Sequence, residues 1–175
     1  MNLSDTIWFV TLGLVLCAGY TDWRTRRIAN WLTVSGLVLG IILNSILGGW
    51  RGAVTSLEGA GLALGLLLPL VLLRGLGAGD WKLMGAVGAM MGWSAMLTVL
   101  IISCLITGVV ALIQVIFTGR LIITVKNMGT LLKGFVIYGL KPNAEISLDN
   151  PALAKLPFGT CVAVGTALCF VAAHW

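Results

Sequence analysis

Charge is scarce in this chain. Only 10% of its 175 residues are Asp, Glu, Lys or Arg, 59% are hydrophobic, and the mean hydropathy is +1.05. A soluble domain carries about 25% charged and about 45–50% apolar residues, so a water-soluble globule is excluded. The expectation is one polytopic membrane domain covering residues 1–175. Paired cysteines are absent as well. Cys17, Cys104, Cys161 and Cys169 stand in apolar runs without any Cys-x-x-Cys spacing, which argues against a zinc centre or a disulfide framework. They read as buried free thiols that pack like small apolar residues. The single histidine, His174, sits beside the C-terminal residue, and no role is expected of it. Met1-Asn2-Leu3-Ser4-Asp5 lacks the positive stretch that opens a cleavable signal peptide. No internal repeat or low-complexity segment is present. No metal or cofactor is expected.

What fills the chain instead is apolar helix. A crossing takes about 20 apolar residues at about 1.5 Å each. Candidate spans run from about Leu3 to Tyr20, from Ile28 to Leu47 before Gly48-Gly49, and from Ser56 to Leu73 with a kink expected at Pro69. The apolar stretch Leu83 to Phe117 is interrupted at Gly92-Trp93-Ser94. It divides into a short helix ending near Met91 and a full one from Ala95. A last span begins near Pro157 and ends at Ala173. The fold class is therefore all-α, a polytopic membrane protein of about six helices with a short fourth. Residues 121–140 suit an amphipathic segment lying along the interface, and 141–151 a polar loop.

The formal charge of +5 does not point to nucleic acid, because the basic residues adjoin the apolar spans. They form a topology signal, with attraction to anionic lipid. Arg24, Arg26, Arg27, Arg74, Lys82, Arg120, Lys126, Lys133, Lys141 and Lys155 fall on one side of the six-helix arrangement, and Arg51 alone on the other. The positive-inside rule assigns the crowded side to the cytoplasm. Trp23, Trp31, Trp50, Trp81, Trp93 and Trp175 suit an interfacial belt. Gly36/Gly40, Gly61/Gly65 and Gly88/Gly92 have the spacing of close helix packing.

Two aspartates stand out against this background. Asp22 lies in Tyr20-Thr21-Asp22-Trp23-Arg24-Thr25-Arg26-Arg27 and Asp80 in Gly75-Leu76-Gly77-Ala78-Gly79-Asp80-Trp81-Lys82. Each sits where an apolar run meets basic residues, and an ionisable group at membrane depth is costly enough to require a reason. Two crowded carboxylates share one proton, so that one serves as base while the other is the acid, and the pair titrates as a unit. Water attack on an amide needs both. Gly77 and Gly79 remove side chains beside Asp80, which would let a substrate backbone approach. Lys82 is a candidate to orient that substrate, set against the plainer role of snorkelling to the interface. Plainer readings of the acids are a helix cap for Asp80 and an arginine pair for Asp22.

The block Asp22-Trp23-Arg24-Thr25-Arg26-Arg27-Ile28-Ala29-Asn30-Trp31-Leu32-Thr33 resembles the first signature of type IV prepilin peptidases. Gly77-Ala78-Gly79-Asp80-Trp81-Lys82-Leu83 is similar to their Gly-x-Gly-Asp signature, and Leu156-Pro157-Phe158-Gly159 to a third recurring segment. Ala29 departs from the family's usual proline, which bears on the entry to the second helix. The resemblance implies an aspartic endopeptidase of the bacterial plasma membrane, with Asp22 and Asp80 catalytic and facing the cytoplasm. Its substrate partner would be a pilin-like precursor with a basic leader. Without a domain of paired cysteines, the chain is similar to the short members associated with tight-adherence (Flp-type) pili, and peptidase activity without methylation is expected. Two alternatives remain. One is a presenilin-type Gly-x-Gly-Asp protease, although Thr21 separates Tyr20 from Asp22. The other is a small transporter or secretion-system subunit, which would place its carboxylates nearer the bilayer midplane.

Overall fold

The computed structural model describes residues 3–73, 75–118 and 157–175. The expected interfacial segment, the loop after it, Arg74, Arg120 and the lysines from Lys126 to Lys155 lie outside the described residues. Where described, the chain is helical: α1 is Leu3–Thr25, α2 Asn30–Leu72, α3 Ala78–Thr118 and α4 Phe158–His174. Three of these, α1 from Asp5 onward, α2 and α3, are long and apolar enough to cross a membrane, and α4 is a shorter apolar helix. This is a helical membrane protein.

Among the described residues four helix ranges stand where six helices were expected, and two of the four are each divided at one interior glycine. The reason is that two of the expected breaks are single glycines rather than loops. Gly49 in α2 has φ 58° and ψ −142°, and Gly92 in α3 has φ 75° and ψ 175°. Both lie on the side of conformational space that glycine alone enters without strain. The chain reverses at each. On a straight helix Asn44 and Ser56 would stand about 18 Å apart, yet the Asn44 amide donates to Ser56 Oγ at 2.9 Å. Likewise a straight α3 would carry Ser103 about 35 Å from Asp80. Ser103 Oγ instead lies 2.6 Å from the vacant Cβ position of Gly165 on α4. Gly165 is only about 9 Å along α4 from Gly159, whose N–H faces Asp80.

The arms of α2 and α3 pack through small residues. Gly40 lies against the backbone of Ala89 and Met90, and Gly59 against the Gly88 carbonyl, so closely that neither has room for a Cβ. Asn44 Nδ2 reaches Ala89 O at 3.0 Å and Met90 O at 2.9 Å. A polar group in hydrocarbon is stabilised only by such partners, and this one pins three arms together. The expected Gly61/Gly65 pair is corrected: a Cβ at either meets nothing among the described residues. The buried stripe of that arm is Ser56, Gly59, Ala60, Ala63 and Leu67, which turns Gly61 and Gly65 away from the contact. The thiols also divide, with Cys161 and Cys169 buried and Cys17 and Cys104 exposed.

Helices α1 and α4 run antiparallel. Thr160 Oγ1 donates to Gly19 O at 3.1 Å near one end. At the other, Trp8 meets Phe170 edge-on with centroids 6.0 Å apart, and His174 Nε2 lies 3.4 Å from Asp5 Oδ1. Helix α1 continues past Tyr20, its expected end, because Thr21 and Thr25 return their hydroxyl bonds to Ala18 O and Thr21 O. Their polar side chains are satisfied without leaving the helix. It stops where Arg26 enters the left-handed region at φ 54°.

Candidate active site

The extended α1 places Asp22 in its last helical turn, where the residue is only 6% exposed. One turn on, the Arg26 N–H still bonds to Asp22 O at 2.8 Å, and the left-handed Arg26 then swings the chain across the helix end into α2. Asp80 is the third residue of α3. The link before it is short, because the N–H groups of Gly75 and Leu76 both fold back onto Leu70 O at the end of α2. These two turns bring together aspartates that are far apart in the chain. The carboxyl groups act on each other electrostatically and line one cleft of about 270 Å³ with Arg26, Arg27, Asn30 and Gly77. A larger groove of about 400 Å³ between α1 and α4 is apolar, carries no carboxylate, and is not where acid–base chemistry can occur.

The half-buried Asp80 keeps one carboxylate oxygen, Oδ1, buried without a hydrogen-bond partner. An oxygen left so is costly unless a shared proton, water or substrate meets it. Gly77 makes room for it: a Cβ there would come 2.9 Å from Asp80 Oδ2. Gly79 also lines the cleft, but its vacant Cβ position lies 3.2 Å from Ile28 Cβ, so this glycine also lets α3 pack against the α1–α2 turn. Lys82 Nζ donates to Asn30 Oδ1 at 3.1 Å. It touches the cleft through Asn30 rather than lining it.

Other contributions were not assigned from sequence. Arg26 and Arg27 line the cleft, although in sequence they carried only a topology signal. The first turn of α4 arrives from the far end of the chain and turns its N–H groups toward the acids. Thr160 N donates to Asp22 Oδ2 at 3.3 Å, and the Gly159 N–H faces both carboxylates. Leu156-Pro157-Phe158-Gly159 was noticeable as a motif, but nothing in its composition indicates which side chains it meets.

Two carboxylates from different helices, Asp22 buried and Asp80 half-buried, thus meet in one polar cleft of a helical membrane protein. Residues 9–112, which hold both aspartates, match the model of the type IV leader peptidase family. The chain belongs to that family and is a peptidase. Among curated proteins and solved structures, nothing matches it.

Proposed function

We propose that the protein is an aspartic endopeptidase that removes basic leader peptides from prepilin or pilin-like precursors, with Asp22 and Asp80 as its catalytic dyad. The observation that carries this reading is the convergence of both carboxylates on one cleft, with Asp80 Oδ1 buried and unpartnered. One carboxylate takes a proton from the attacking water while the other protonates the leaving nitrogen. Gly77 and Gly79 form the wall along which the extended junction of the substrate approaches. Lys82 holds the Asn30 side of that wall.

The dyad works at the cytoplasmic face of a bacterial plasma membrane, in a single domain whose helical arms make six crossings, the fourth short. Charge supports this orientation: Arg24, Arg26, Arg27 and Lys82 belong to the dyad end and Arg51 to the Gly49 turn. Tryptophans support the crossings. Trp23, Trp31 and Trp81 mark the dyad end, while Trp8, Trp50, Trp93 and Trp175 mark the other, as aromatic belts do at two interfaces. A precursor whose basic leader stays in the cytoplasm while its apolar helix enters the bilayer presents its junction at this depth. Carboxylates at helix ends also disfavour a transporter, whose ion ligands belong near the midplane.

The test is leader cleavage in proteoliposomes, read by mass, on a precursor with a short basic leader, a Gly before the cut and an apolar helix. Wild type should release the leader. Asp22→Asn and Asp80→Asn should each abolish release while still inserting, because an amide cannot transfer the proton. Turnover by either variant overturns the dyad, and a cut inside the apolar helix favours the presenilin-type reading.

A further inference from the structure

The Asp22 carboxylate is held from outside the helix that carries it. Residues 9–112 contain both aspartates, yet the N–H groups facing them come from Gly159 and Thr160, in the first turn of α4. Those N–H groups have no intrahelical acceptor, since the first four donors of a helix are orphans. Thr160 spends its donor on Asp22 Oδ2 at 3.3 Å. The Gly159 N–H faces both Asp22 and Asp80. Two further contacts fix this turn. The Thr160 hydroxyl donates to Gly19 O at 3.1 Å, one turn before Asp22 on α1, and Cys161 N bonds to Pro157 O at 3.2 Å. The approach also requires glycine. A Cβ on residue 159 would stand 3.1 Å from both Cβ and Oδ2 of Asp22, and 2.8 Å from Ile28 Cδ1.

We propose that the first turn of α4 is the clamp of the dyad, with Gly159 and Thr160 as positioning residues whose peptide N–H groups hold the Asp22 carboxylate against Asp80. The inference rests on the peptidase reading above and adds a third element to the site. A carboxylate rotates freely about its last bond, and a dyad works only when both groups keep their mutual orientation. N–H groups aligned along a helix axis supply that hold, reinforced by the positive end of the helix dipole. Because they belong to the backbone, no side-chain change at these positions except proline removes them, and the turn needs no acid–base residue of its own.

Thr160→Pro and Thr160→Ala separate the N–H from the side chain. Both lose the Thr160 hydroxyl, but only Thr160→Pro loses the N–H, and proline is tolerated in the first turn of a helix. With the full chain in proteoliposomes and the same precursor, kcat of T160P should fall about 10- to 100-fold below that of T160A, with KM changed less than about twofold. Equal kcat in the two variants overturns the clamp. Should T160P fail to fold, Gly159→Ala decides. Its new methyl group presses on both Asp22 and Ile28, so it is compared with the double variant Gly159→Ala/Ile28→Val, which relieves the Ile28 contact. A kcat that stays low in the double variant supports the clamp, and recovery to the level of Ile28→Val alone overturns it in favour of simple packing. Failure of wild type to cleave, or cleavage by Asp22→Asn, instead overturns the peptidase reading on which the clamp rests.

Discussion

At the scale of single residues, the space around the Asp80 carboxylate is set by Gly77. Its absent Cβ leaves room that Asp80 Oδ2 occupies within 2.9 Å. Gly77→Ala should therefore turn the carboxylate away from Asp22 and lower kcat at least about tenfold, since small misplacements of a reacting group are expensive. Leader-cleavage kinetics on folded variant would check it, and unchanged turnover would show that Asp80 has another way to settle. Gly79→Val should also slow cleavage severely, but it presses on Ile28 and reads packing together with access. Arg26 presents a different test. Its φ of 54° is strained for any residue with a Cβ, by about 1–2 kcal/mol. Arg26→Gly should consequently be about 1 kcal/mol more stable than Arg26→Ala. Both variants lose the same cationic side chain, so the difference in detergent melting temperature isolates the backbone term.

The elements owe their shape to two residues. Gly49 and Gly92 reverse α2 and α3 within single positions, at angles that side chains resist. Gly49→Ala and Gly92→Ala should each destabilise the bundle by about 1–3 kcal/mol. For Gly92 the new methyl group would also meet Thr55 Cγ2 at 3.0 Å. Gly61→Ala is the control. It is helical, open and free of neighbours among the described residues, so alanine there should be neutral or stabilise by up to about 1 kcal/mol. Thermal unfolding in one detergent orders the three variants, and a Gly61→Ala loss as large as the other two would refute the assignment of the turns. Sequence patterning had already marked both reversals, at Gly48-Gly49 and at Gly92-Trp93-Ser94. What it left open is how sharp each break is, because hydropathy reports how long an apolar run is, not whether a loop or a single non-helical glycine divides it.

For the whole molecule, the proposed orientation makes a direct forecast. In a background without the exposed Cys17 and Cys104, Thr25→Cys and Ala78→Cys should react with a membrane-impermeant thiol reagent only from the cytoplasmic side. Trp50→Cys, beside the Gly49 turn, should react only from the opposite side. Labelling of residues 25 and 78 from different faces would separate the two aspartates and remove the common site. The expected joining of Asp22 and Asp80 was legible in sequence because each acid interrupts an apolar run next to basic residues, on the same side of the charge pattern.

Sequence alone determined the solvent of this protein and set its two aspartates apart. With 59% hydrophobic and 10% charged residues, no arrangement could bury the chain in water, and acids beside basic clusters belong at the ends of helices. It also marked the family, through residues that are contiguous in the chain. Only the tertiary structure decided what faces those acids. Thr160 lies 138 positions from Asp22, and its contribution is a peptide N–H, a group that every residue but proline possesses and that leaves no trace in composition or spacing. The same holds for Gly59 against Gly88 and for Lys82 on Asn30. Hydropathy is a property of each residue and can be read one position at a time. A contact depends on which helices lie side by side, and that is settled by the packing of the whole bundle.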